Sequence, residues 1–152
     1  MSDLVVDASV AVRWLVPHPT SAAARRVLAD PGNVLHMPDL GVLEVANALW
    51  KYVRAGAVSP EAAGERIDDL RRAPVIVHPS APLAGEALRL AVALDHPVYY
   101  CIHLALASGL GTRVVTADAA FVRAATAAGM ADLIVWFEDV AAPPTRDHVD
   151  PA

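Results

Sequence analysis

Cysteine is nearly absent from this chain of 152 residues. Cys101 stands alone, so an internal disulfide is impossible and a cysteine-based zinc site is excluded. Lysine is as scarce: Lys51 is the single lysine beside eleven arginines, and seventeen acidic residues outnumber all twelve basic ones. The resulting net charge of −5 provides no overall basic field for nucleic acid, although a local basic rim is compatible with it. No apolar run approaches the ~18 residues of a membrane-spanning helix. Asp3 and Asp7 interrupt the region that a secretory signal would make apolar. No repeat with a period of about 20–50 residues is found. A Gly-rich phosphate loop, a dinucleotide fingerprint and a Gly-x-Ser-x-Gly nucleophile elbow are missing as well.

What is present fits a chain that builds its own core. Hydrophobic residues make up 55% and charged residues 19%, the mass is 16.0 kDa and the mean hydropathy is +0.40. That composition excludes general disorder and suits one domain of ordinary size. A soluble, cytoplasmic, single-domain protein without a membrane segment is expected. The domain is placed at 1–140 and a loose, proline-rich tail at 141–152.

Short β-branched runs alternate with longer Ala/Leu-rich stretches. The strand candidates are Leu4-Val5-Val6, Val34-Leu35-His36, Val75-Ile76-Val77, Val114-Val115 and Leu133-Ile134-Val135. They are too short and too uniformly apolar for a half-solvated sheet, and suit strands covered on both faces. Ser59-Pro60-Glu61 reads as a helix start, Ser80 with Pro82 resembles it less closely, and Gly111 and Gly129 read as helix stops. The alternation predicts an α/β fold, a three-layer α/β/α sandwich around a mainly parallel sheet. In such a sheet, ligands gather at the carboxyl ends of the strands.

Acids stand at those ends. Asp7 follows Leu4-Val5-Val6, and Asp118 follows Val114-Val115-Thr116 through a short turn. Each is either an N-cap for the next helix or half of a pair of carboxylates suited to a hard divalent cation. A helix is expected over Asp39–Arg54, with Leu43, Ala46, Trp50 and Val53 as its core face. Glu44, Asn47, Lys51 and Arg54 form a separate polar stripe on it, which a solvated helix face would also explain. Glu44 is flanked by Leu43 and Val45, where a carboxylate is costly unless paired, hydrogen-bonded or metal-bound. His103, on an apolar helical segment with Cys101, Ile102 and Leu104, reads as structural or as support to a site. His36, His78 and His96 show no metal-ligand spacing.

Val5-Val6-Asp7-Ala8-Ser9, Leu43-Glu44-Val45-Ala46-Asn47-Ala48-Leu49 and Val115-Thr116-Ala117-Asp118-Ala119-Ala120-Phe121 together resemble the PIN domain. More narrowly, the chain resembles the VapC-type ribonuclease toxins of toxin–antitoxin pairs, from about Leu4 to Trp136 and in the right order. No single motif is specific; the ordered set is. The resemblance implies an endoribonuclease that cleaves single-stranded RNA with metal-activated water. It implies Asp7, Glu44 and Asp118 as catalytic metal ligands for Mg²⁺ or Mn²⁺, with Ser9, Asn47 and Thr116 in support. It also implies a homodimer and a cognate antitoxin. One position departs: where the family carries an Asp in Val98–Ala107, this chain has Tyr100. A neutral phenol is a poor Mg²⁺ ligand and takes more room. Tyr100 therefore keeps open a PIN-fold module that binds antitoxin or RNA without turnover. A metal-dependent phosphatase fits less well, because Ser9 stands where an Asp-x-Asp motif would need its second acid.

Overall fold

The five β-branched runs form five strands: β1 (Ser2–Val6), β2 (Asn33–Pro38), β3 (Val75–His78), β4 (Arg113–Thr116) and β5 (Ile134–Trp136). The structure, a computed structural model, describes residues 1–141. The strands pair in parallel, in the order β3-β2-β1-β4-β5. Between them lie α1 (Ala8–Leu15), α2 (Ser21–Ala29), α3 (Asp39–Arg54), α4 (Pro60–Arg72), α5 (Ala84–Leu94), α6 (Val98–Leu110) and α7 (Ala119–Ala127), and α8 (Phe137–Ala141) follows β5.

Alternation along each strand explains the layers. Leu4, Val6 and Val115 pack with Val10 of α1, Val27 of α2, Val45 and Leu49 of α3, and Phe137 of α8. Val5, Val114 and Ile134 point the other way and pack with Leu90 of α5, Leu104 of α6 and Phe121 of α7. Both faces of the sheet are thus covered at its centre, whereas the edge strand β3 leaves Ile76 and Val77 half exposed, against the expectation that it too is covered on both faces. Each fully buried apolar side chain contributes ~1.5–3 kcal/mol. The expected three-layer α/β/α fold is what forms.

The local signals mostly act as read. Ser59 caps α4 by accepting from the Ala62 amide at 3.1 Å, with Pro60 at the first helical position. Gly111 ends α6 with φ 67°, a left-handed conformation that glycine adopts without strain. Ser80 differs. It precedes a single 3-10 turn, Ala81–Leu83, and its hydroxyl accepts from the Leu40 amide at 3.1 Å and donates to Asp39 instead of capping.

The core face of α3 is corrected by the structure. Leu43 is 67% and Trp50 51% exposed, whereas Gly41, Val45 and Leu49 are buried. Apolar residues lie on nearly every side of this helix, so periodicity alone admits two faces. The one containing Gly41 wins because it lets the backbone approach β2 and α6 closely. The tail expected over 141–152 lies, beyond Ala141, outside the described residues. Among the described residues no single helix is long and apolar enough to cross a membrane.

From β1 the chain winds outward to β2 and β3, then returns to lay β4 on the other side of β1. The connections after β1 and β4 therefore diverge and open a crevice at their carboxyl ends. Asp7 and Asp118 lie there.

Candidate active site

The Asp7 amide donates to the Val115 carbonyl at 3.0 Å, extending the β1–β4 ladder past the strand. Asp7 then stands at the N-cap of α1, yet its side chain makes no capping bond. Its Oδ2 accepts instead from Ser9 Oγ at 2.5 Å and Thr116 Oγ1 at 2.7 Å. Each hydroxyl also accepts a backbone N–H, Ser9 from Ala117 at 2.9 Å and Thr116 from Asp118 at 3.0 Å. A hydroxyl with its acceptor role filled this way has its one proton left for the carboxylate. The turns after β1 and β4 are thereby tied through one oxygen, and the other, Oδ1, lies 3.9 Å from His103 Nε2.

Glu44 comes from α3 on the opposite wall. Its side chain is 28% exposed, and Oε2 is buried with no hydrogen-bond partner. Burial, reinforced by the charge of Asp7, pushes the carboxyl up to about 7. His103, on α6, is wholly buried. Its Nδ1 lies 3.4 Å from the Tyr99 carbonyl one turn earlier. Its Nε2 lies 3.4 Å from Glu44 Oε2 and also lacks a hydrogen-bond partner. Burial lowers the imidazole pKa against the opposing pull of Asp7 and the Tyr99 carbonyl, so the neutral ring is favoured.

Asp118 is a helix cap, and it lies outside the group of ligand atoms that Asp7, Glu44 and His103 form. Its Oδ1 caps α7, accepting from the Ala120 amide at 2.9 Å and the Phe121 amide at 3.2 Å, while the residue lines the same cavity as Asp7. Tyr100 reaches that cavity from α6, its ring tilted against His96 at 4.7 Å and Phe121 at 5.3 Å. Burial first, then the charges of Asp118, Asp7 and Glu44, raise the phenol pKa, so it stays neutral near pH 7.

The cavity measures about 310 Å³, and Asp7, Ser9, Glu44, Asn47, Tyr100 and Asp118 are among its walls. Thr116 stands behind Asp7. The acids and supporting residues implied by the resemblance therefore meet at one crevice, whereas Arg54 of the polar stripe does not line it. Lys51 of the polar stripe lines the cavity too, and His103, read as structural or as support to a site, lies 3.4 Å from Glu44. The stripe spacing of Glu44, Asn47 and Lys51 carried the signal for Lys51. For His103 the sequence left core and supporting roles both open, because an isolated histidine among apolar residues suits either. His36 is engaged elsewhere, between Asp3 Oδ1 and His78 Nε2, at 2.9 Å each.

The donor set fits a divalent cation. Among the described residues Asp7, Glu44 and His103 form a group that offers one ligand atom each, all within 4.8 Å of one another. Buried polar atoms without partners, such as Glu44 Oε2 and His103 Nε2, are unstable arrangements unless something satisfies them. Gly41 helps bring α3 against α6. A Cβ there would stand 2.6 Å from Met37 Cγ and 3.4 Å from His103 Nε2. Gly41→Ala is expected to lower stability by ~1–3 kcal/mol through overpacking, read as a lower urea midpoint with an unchanged slope. An unchanged midpoint would show that Met37 moves aside freely.

The PIN domain family model matches residues 4–127. Ribonuclease VapC3 of Pyrobaculum aerophilum is 34% identical over 117 residues, spanning 76% of this chain and 88% of that protein. The crystal structure of PAE2754 from Pyrobaculum aerophilum superposes with a TM-score of 0.70 at 24% identity, covering 92% of this chain and 87% of its own. That of Mycobacterium tuberculosis VapC20, described as a Sarcin-Ricin loop cleaving toxin, gives 0.64 at 19% identity, covering 80% and 94%. At those identities the two structures speak to the fold.

Proposed function

Since the chain belongs to the PIN domain family, we propose that it is a metal-dependent endoribonuclease of the VapC toxin type, acting on single-stranded RNA. The observation that carries this reading is the convergence of Asp7, Glu44, Ser9, Asn47 and Asp118 on one cavity at the β1–β4 crevice. Ribonuclease VapC3, similar over most of both chains, supports the substrate class.

Asp7 and Glu44 would hold Mg²⁺ or Mn²⁺, with Asp118 on the same wall. A bound divalent cation lowers the pKa of a coordinated water and neutralises charge developing on the scissile phosphate. Ser9 and Thr116 keep the Asp7 carboxylate in one orientation, which removes reorganisation from the reaction. Asn47 presents an amide to incoming phosphate or water, and Lys51 places a positive charge at the cavity of an otherwise acidic protein. Tyr99, 65% exposed, borders an adjoining groove with Leu40 and Leu43 and gives an unpaired base a surface on which to stack. A duplex cannot offer such a base, which favours single strands.

The reading extends to a homodimer and a cognate antitoxin. Leu43 and Trp50 on α3, with Leu88 and Val92 on α5, leave apolar surface for such contacts. Light scattering is expected to give twice the chain mass at micromolar concentration, and a monomer there would remove the dimer.

Chelator-sensitive cleavage of single-stranded RNA, lost in Asp7→Asn while the circular dichroism spectrum is kept, is the expected result. Cleavage that survives both chelator and Asp7→Asn would overturn the proposal. Absence of cleavage with retained antitoxin binding would favour the second reading, a PIN-fold binding module, for which Tyr100 among the acids is the argument.

A further inference from the structure

We propose that His103 is a direct metal ligand, its Nε2 completing a mixed oxygen and nitrogen centre with Asp7 and Glu44, and that this centre prefers Mn²⁺ or Co²⁺ to Mg²⁺. The inference rests on the metal-dependent reading above and deepens it.

The geometry points this way from three sides. The ring is wholly buried, so Nε2 has no route to bulk solvent for its missing partner. Nδ1 is committed to the Tyr99 carbonyl at 3.4 Å, which puts the proton on Nδ1 and leaves Nε2 a bare lone pair. Metal-binding histidines are usually held in that manner, through a bond at the other nitrogen. The bare nitrogen faces two carboxylates, 3.4 Å from Glu44 Oε2 and 3.9 Å from Asp7 Oδ1. Lone pairs do not attract one another, and a cation among them satisfies Nε2 and both carboxylates at once. Glu44 Oε2 lacks a hydrogen-bond partner in the same way.

The choice of ion follows from the donors. Mg²⁺ prefers an all-oxygen shell and retained water. Imidazole nitrogen shifts preference toward later first-row ions, along the order in which Co²⁺ exceeds Mn²⁺. Tyr100 lines the same cavity and adds no carboxylate oxygen to the donor set.

The test loads the intact protein with Mn²⁺ and records pulsed EPR for coupling to a directly bound ¹⁴N, alongside calorimetric titrations with Mn²⁺, Co²⁺ and Mg²⁺. Nitrogen coupling in the parent is expected, with Mn²⁺ and Co²⁺ bound at least tenfold more tightly than Mg²⁺. In His103→Asn and His103→Gln the coupling should vanish and the preference for Mn²⁺ and Co²⁺ over Mg²⁺ collapse. The coupling is read on the parent, so a variant that fails to fold does not remove the test. Binding of Mn²⁺ without nitrogen coupling would overturn the ligand role and leave the metal-dependent nuclease standing. Coupling that persists in both folded variants would assign the nitrogen elsewhere and overturn it equally. Failure of the parent to bind any of the three ions would remove this proposal together with the metal-dependent reading.

Discussion

Tyr100→Asp is expected to raise Mg²⁺-dependent cleavage of single-stranded RNA about a hundredfold over the parent, equivalent to ~3 kcal/mol of transition-state stabilisation. The position faces Asp118, Asp7 and Glu44 closely enough for all three charges to act on the phenol. The ring packs against His96 and Phe121, which stack on each other beside it. As it stands it lines the cavity and brings no negative charge. An aspartate would supply an oxygen and take less room, and Mg²⁺, with its strict octahedral demand, gains most from both. The same substitution should narrow the gap between Mg²⁺ and Mn²⁺, because it dilutes the nitrogen share of the donor set. Tyr100→Phe is the control and should match the parent, which separates ring volume from hydroxyl chemistry. The assay runs parent and both variants on one single-stranded RNA with Mg²⁺, Mn²⁺ and chelator. Equal, chelator-insensitive activity in parent and Tyr100→Asp would place the chemistry elsewhere in the molecule.

The same residues show what a sequence can and cannot disclose. A central parallel strand buried on both faces leaves a clear trace, as in Leu4-Val5-Val6, each of them at most 3% exposed. The acids at the ends of β1 and β4 follow from topology, so Asp7 and Asp118 could be placed before any coordinate was known. Which of them is a cap could not, because both occupy the same local position. The difference lies in Ser9 and Thr116, whose hydroxyls reach Asp7 only once β1 and β4 lie side by side. On α3 the buried apolar face differs from the one that periodicity suggests for a related reason. Leu43 and Trp50 are bulkier than Gly41, yet close packing against Met37 and His103 selects the residue with no side chain. What His103 touches was hidden for the opposite reason: its helix is buried on every side, and its partners come from segments 59 and 96 residues away.

Glu44→Gln is expected to stabilise the metal-free protein by ~3 kcal/mol near pH 8 and hardly at all near pH 4. In the folded protein burial and the charge of Asp7 raise this carboxyl from its ordinary 4.5 to about 7. An acid with a raised folded value binds its proton more tightly when folded. Across pH 4.5 to 7 the folded state therefore carries more protons than the unfolded state, and stability falls as pH rises through that window. Below it the side chain is neutral in both states and nothing is lost; above it the charge is fully present and the loss is complete. At ~1.4 kcal/mol per pH unit, that window is equivalent to ~3 kcal/mol. Glutamine keeps the shape without the charge, so its unfolding free energy should vary less with pH by that amount. Asp7→Asn should recover a smaller part, because it removes only the second cause and leaves burial in place. Urea unfolding of the three proteins in chelator, at several pH values from about 4 to about 8, measures this directly. A parent and a Glu44→Gln variant with the same pH dependence would mean that Glu44 is already solvated or paired. Adding Mn²⁺ should reverse the order, stabilising the parent above the variant, because the ion binds the charged carboxylate that folding alone disfavours.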